Sequence, residues 1–171
     1  PIAAELLKQT DEAILLDAAW AVSYASDGPN DRIDSVLACN PLPALLELLQ
    51  REQQTLITPA LRTVGNIVTG TAAQTQAVLD ANFLPTIGNL MSHPVKTIRK
   101  ECSWFLSNVM AGKQEQIQLV IQAGLLEPLV RALNAPEWEV RKESTWAITN
   151  LTFQGTIEQI HAVVLAGCLD P

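Results

Sequence analysis

The sequence predicts an all-α fold, a solenoid of stacked repeats that are about 42 residues long and hold three helices each. Three features predict it. First, Trp20, Arg62, Trp104 and Trp146 follow one another at a constant spacing of 42 residues, and a fixed period of that length marks architectures in which each unit contacts only its neighbours. Second, a polar partner follows each landmark four residues later: Tyr24, Asn66, Asn108 and Asn150. Residues i and i+4 share one helix face, so stacking lays the pairs out as two rows on one surface. Third, the 171-residue chain is 48% hydrophobic but only 5% aromatic. Alanine and the aliphatics dominate, as close helix packing requires.

The elements follow in order. Residues 1–28 supply the last two helices of one unit, residues 29–70, 71–112 and 113–155 form three full repeats, and residues 156–171 supply the first helix of another. The third repeat shows the plan. Residues 115–124 form a short amphipathic helix stopped by Gly124, a residue suited to a left-handed C-cap. Residues 125–134 form a second helix, with Pro128 tolerable near its first turn. Ala135 and Pro136 break it, and residues 137–152 form a longer third helix carrying Trp146 and Asn150. A second column contains Asn40, Asn82, Gly124 and Gly167; its last interval is 43 residues, and the extra residue is expected in a loop near Gln154 and Gly155. Gly28, Gly70 and Gly112 are expected to recur because helices end there. A pattern open at both ends reads as a piece of a longer array, since uncapped solenoid ends expose apolar surface.

Charge and composition narrow the function. The net charge of −7 argues against nucleic acid or an anionic membrane as partner and favours a cationic one. No apolar run approaches the roughly 18 residues of a membrane span. Cys39, Cys102 and Cys168 show no paired spacing and read as reduced, partly buried thiols of a cytosolic or nuclear protein. His93 and His161 have no ligand-type neighbours at metal spacing, and neither a phosphate-binding glycine loop nor a nucleophile–base pattern occurs. The chain reads as a binding protein with no catalytic residues, metal or cofactor.

The rows suit an extended basic peptide. Indole rings one repeat apart form a slot for the apolar stem of Lys or Arg, and the cation gains roughly 0.5–2 kcal/mol from a ring face. Glu101 and Glu143, three residues before Trp104 and Trp146, are placed to meet the charged tips, an arginine with two bonds. Asn carries both a donor and an acceptor, so Asn66, Asn108 and Asn150 can hold peptide backbone whatever its side chains. Helices stack about 8–10 Å apart and a strand advances about 3.3 Å per residue, so one repeat spans about three peptide residues. Arg62 either bounds the cation site or pairs with a groove carboxylate such as Asp17 or Glu101. Trp138 lies off the column and serves packing or surface cover. Lys100 and Lys142 are expected as solvated helix-face charges, with intramolecular pairing to Glu as the alternative.

A short, a short and a long helix in about 42 residues resemble the armadillo plan, which implies a right-handed superhelical solenoid. The Trp-x-x-x-Asn rows are more specific. With residues 26–31 (SDGPND), 62–70 (RTVGNIVTG) and 141–150 (RKESTWAITN), they resemble the importin-α (karyopherin-α) family. That resemblance implies a nuclear import adaptor shuttling between cytoplasm and nucleus, which binds the basic nuclear localisation signals of cargo proteins with the peptide antiparallel to the repeats. Tyr24 in place of Asn and Arg62 in place of Trp match substitutions of the family's middle repeats, which puts the chain near the fifth to ninth repeats, around the minor binding site. Importin-β and the export receptor would then be reached only through parts outside this chain. By the same resemblance Thr69 joins Trp20, Tyr24, Arg62, Asn66, Glu101, Trp104, Asn108, Glu143, Trp146 and Asn150 as peptide-binding residues, and Ser107, beside Asn108, is a further candidate contact. The alternative is an armadillo scaffold binding a partner unrelated to import.

Overall fold

A computed structural model describes residues 1–169; Asp170 and Pro171, the end of the final partial repeat expected from the sequence, lie outside the described residues. All regular structure among the described residues is helical, and none of those helices is long and apolar enough to cross a membrane. The chain forms two compact units, residues 1–86 and residues 87 onward.

The first unit holds α1 (Ile2–Leu6), α2 (Glu12–Ser26), α3 (Asn30–Leu37), α4 (Leu42–Leu49), α5 (Gln54–Ile67) and α6 (Ala72–Asp80), and α7 (Leu84–Leu90) begins in it. The second unit holds α8 (Lys96–Met110), α9 (Gln114–Gln122), α10 (Leu126–Leu133), α11 (Trp138–Gln154) and α12 (Ile157–Leu165). From α3 onward the short–short–long order expected from the sequence recurs three times. In the first unit α5 packs on α2 and α4, burying Leu15, Ala19, Leu45, Leu48, Ile57, Leu61 and Val64. In the second unit α11 packs on α8 and α10, over Ile98, Phe105, Leu106, Leu129, Ala147 and Leu151. Each large aliphatic or aromatic side chain so removed from water contributes about 1.5–3 kcal/mol.

The second sequence column is a set of left-handed turns. Asn40 (φ 50°), Asn82 (64°), Gly124 (71°) and Gly167 (89°) all have positive φ, the region that Gly and Asn reach at low cost. Each ends the first short helix of its group and turns the chain into the next element. At Gly124 the following Leu125 N–H reaches back to the Val120 carbonyl, 3.3 Å, as a Schellman cap requires. The extra residue of the last interval is not in a loop. α11 has 17 residues against 15 in α8 and runs on to Gln154, with Gly155 as its C-cap, so the insertion lengthens the helix.

Gly70 and Gly112 also differ from expectation. They follow helix ends but do not adopt left-handed backbone. A Cβ on Gly70 would collide with Gln74 Oε1, and one on Gly112 would stand 2.6 Å from Gln116 Oε1. The glycines make room for glutamines. Gln74 Oε1 accepts the Thr71 N–H (2.8 Å), while Thr71 Oγ1 accepts the Gln74 N–H (3.2 Å), a capping box that satisfies two donors at the start of α6. The same Gln74 then donates through Nε2 to the Asn30 carbonyl (2.8 Å) and Asp34 Oδ1 (2.6 Å) of α3. Gln159 repeats this in the second unit, capping α12 with Thr156 and donating to the Gln114 carbonyl (2.8 Å) and Gln118 Oε1 (3.1 Å) of α9. One side chain thus starts its own helix and ties it to the matching helix before it. Gly70→Ala is expected to lower stability by about 1–2 kcal/mol, the scale of a lost cap and a buried hydrogen bond. In urea unfolding, adding Gln74→Ala to it should cost less than Gln74→Ala alone, because both changes remove the same contact.

Arginines fix the loops before the long helices. Arg99 Nη1 donates to the His93 and Pro94 carbonyls, 2.6 and 2.8 Å away, and Arg99 Nη2 to Glu137 Oε1, 2.6 Å. Arg141, one period on, repeats the first pair of bonds on Ala135 and Pro136, 2.7 and 2.9 Å. The Arg99 hydrogen bond holds the Glu137 carboxyl below the usual carboxylate range against its partial desolvation.

Candidate functional site

The long helices carry every sequence-predicted site residue except Thr69, which lies just past the end of α5. In the second unit α8 and α11 lie side by side because small residues let them approach. Ser144 Oγ meets Ser103 Oγ at 3.1 Å in the interior, and Asn150 Nδ2 donates to the Ser107 carbonyl, 2.9 Å. This pairing sets Trp104 and Trp146 at matching heights on adjacent helices. Trp104 is half-buried, and Trp146 keeps 53% of its surface exposed. An exposed indole beside a partly exposed one on a rigid helix pair offers a large apolar surface with polar edges.

The polar residues of this face divide into two kinds. Asn150 already uses a donor to hold α8. Asn108 Nδ2 is buried and has no hydrogen-bond partner among the described residues, and a donor left so is costly unless something occupies it. Glu143 has a side chain 16% exposed, with Lys142 Nζ 3.5 Å from its Oε1. Glu101, expected at the rim, is instead 1% exposed and pairs with Lys100 at 2.8 Å. Its position falls on the packed side of α8, where the adjacent ammonium compensates an interior charge. Lys100 is therefore an ion-pair partner of Glu101, whereas Lys142 pairs loosely with Glu143 and keeps 51% of its side chain exposed. Ser107 is buried as well, and its hydroxyl donates to the Trp104 carbonyl, 2.8 Å. Cys102, fully buried beside Glu101, has its thiol pushed up by desolvation and then by that charge, far from a reactive thiolate.

The first unit repeats the helix pairing with different side chains. Asn66 is buried and donates through Nδ2 to the Ser23 carbonyl and Ser26 Oγ, both 3.1 Å, so α5 holds α2 as α11 holds α8. Tyr24 is exposed and stacks on Trp20, with ring centroids 5.7 Å apart and planes 28° from parallel. The Tyr24 carbonyl accepts from Arg32 Nη2, 2.8 Å. Arg62 is exposed on α5, and Thr69 is exposed, its Oγ1 donating to the Asn66 carbonyl, 2.7 Å. Trp138 lies on the surface with the Arg141 guanidinium 5.9 Å from its ring centroid, which settles it as surface cover.

The asparagines thus have a structural duty that the sequence reading did not assign. Its signal is present: Ser23 and Ser107, whose carbonyls Asn66 and Asn150 hold, each stand one residue before a column partner. The glutamine ties were likewise visible as Gln74 and Gln159, four residues after Gly70 and Gly155.

Comparison with known proteins adds the following. The Armadillo/beta-catenin-like repeat family matches residues 71–111 and 113–153. A designed armadillo repeat protein solved in complex with the peptide (KR)4 is similar at 32% identity with a TM-score of 0.95, over 98% of this chain and 70% of that one. A second designed armadillo repeat protein is similar at 31% identity with a TM-score of 0.96, over 99% and 71%. Among natural proteins, importin subunit alpha-4 of Arabidopsis thaliana is 48% identical over 46 residues, 27% of this chain and 9% of its own length. Importin subunit alpha-B of Dictyostelium discoideum is 51% identical over 37 residues, 22% of this chain and 7% of its own. The matched stretches are thus a small part of those natural relatives.

Proposed function

The chain belongs to the armadillo-repeat family, and from that premise we propose that its α8–α11 face binds extended basic peptides as part of a nuclear import adaptor, the peptides being nuclear localisation signals of cargo. One observation supports the reading above the others: Trp104 and Trp146 stand on two locked, adjacent helices together with Glu143 and with Asn108, whose buried Nδ2 has no partner among the described residues. A Lys or Arg stem lies along the indoles, its cation reaches Glu143, and the half-buried Asn108 turns its amide outward to donate to a peptide carbonyl. The (KR)4 complex of the designed relative, the local identity to importin alpha subunits and the net charge of −7 point the same way. Shuttling between cytoplasm and nucleus belongs to the same proposal. Trp20, Tyr24, Arg62, Asn66 and Thr69 belong to the first unit and are proposed as peptide contacts of that unit in their own right.

Asn108 and Asn150 separate the peptide role from the fold role. Asn108→Ala removes a buried donor that holds nothing within the described structure, so unfolding stability should stay unchanged or rise slightly. Affinity for a lysine-rich and for an arginine-rich peptide should fall alike, by about fivefold, the worth of one hydrogen bond. Asn150→Ala should instead lower stability by about 1 kcal/mol. Undiminished binding of both peptides by Asn108→Ala, measured by fluorescence anisotropy, would remove the backbone-clamp role.

A further inference from the structure

We infer that Lys142 is an internal counter-ion occupying the place of a peptide cation on Glu143, so that binding at this position is an exchange of one cation for another and Lys142 sets its affinity. The inference rests on the basic-peptide reading of the α8–α11 face. The Lys-Glu pair occurs twice, at residues 100–101 and 142–143, one period apart. The two copies differ in burial. Glu101 is 1% exposed, and its 2.8 Å contact with Lys100 neutralises an interior charge that no peptide reaches. The Glu143 side chain is 16% exposed and the Lys142 side chain 51%, at a looser 3.5 Å. Here the carboxylate opens to the face that carries Trp146, and the ammonium beside it is free to swing into water.

An incoming Lys or Arg therefore meets a carboxylate that already has a partner. Its gain is the difference between the new pair and the old one, because the displaced ammonium returns to solvent. Exposed ion pairs are weak and screened by salt, so the exchange is easy and reversible. Removing the Lys142 charge leaves Glu143 open and should raise affinity for basic peptides by roughly two- to fourfold, within the range of one exposed pair.

Bulk charge alone also favours a cationic peptide when a lysine is lost, and a double-mutant cycle separates the two effects. The protein and its Lys142→Met, Glu143→Gln and double variants are titrated with an alternating Lys-Arg octapeptide, alongside Lys113→Met. Lys113 is exposed at the start of α9 and away from Trp146 in sequence, so it serves as the charge-matched control. Methionine keeps the apolar stem of lysine. The expected result is a gain in Lys142→Met clearly above that in Lys113→Met, which shrinks to the Lys113→Met level once Glu143 is Gln. A Lys142→Met gain no larger than the control, or one undiminished by Glu143→Gln, overturns the inference while leaving the binding face in place. No binding of the octapeptide by the parent or any variant removes the basic-peptide reading and this inference with it.

Discussion

Trp146→Ala is expected to weaken binding of an alternating Lys-Arg octapeptide by at least about tenfold while leaving the protein folded. The indole provides one wall for a Lys or Arg stem and a face for its cation, an interaction of roughly 0.5–2 kcal/mol to which the lost apolar contact adds. Aromatic anchors of this kind dominate binding surfaces. Trp146 is 53% exposed, so its removal opens no cavity in the core. Circular dichroism and urea unfolding should therefore match the parent closely. A loss of affinity accompanied by a large drop in stability would mean that the indole is a packing residue and not a wall of the site.

Phe105→Ala should do the opposite. Phe105 adjoins Trp104 on α8 but points inward and is fully buried. Truncating a buried phenylalanine costs about 3–5 kcal/mol, the transfer free energy plus the cavity left behind. In a protein of ordinary stability, about 5–15 kcal/mol, that is a large share. Because stacked repeats depend on their neighbours, the loss should reach the α8–α11 pairing. Peptide affinity should stay within about twofold of the parent at temperatures where the variant remains folded, since Phe105 does not reach the surface. Denaturant midpoints for stability and anisotropy at low temperature for affinity check the two halves. An unchanged midpoint would contradict the packing described for α8.

The different fates of Trp104 and Phe105 illustrate what the sequence could reveal. The 42-residue period makes helix order, helix count per repeat and the long helices legible, because a fixed repeat turns a weak local pattern into one seen four times. The left-handed turns at Asn40, Asn82, Gly124 and Gly167 follow from the same column. Side-chain direction was harder to read. Glu101 and Glu143 occupy one column, yet one is buried and the other partly open, because their surroundings on α8 and α11 differ although their spacing to Trp does not. The asparagines read as peptide clamps from their chemistry alone, whereas two of them hold the preceding long helix. An amide serves a carbonyl of its own chain as readily as one from a ligand, and spacing does not distinguish the two. The glutamine ties were missed for a related reason: each joins a cap within its helix to a contact about 40 residues away, and only the stacked geometry connects them.

Basic-peptide binding is tested most directly by titrating the protein with a labelled (KR)4 peptide at low and at physiological salt, beside an alanine-substituted control and an acidic peptide of equal length. Saturable binding of (KR)4 alone is expected, weakened by salt as a charge-assisted contact must be, and reduced by Trp146→Ala. Failure of the folded protein to bind (KR)4, or equal binding of the acidic peptide, would contradict it.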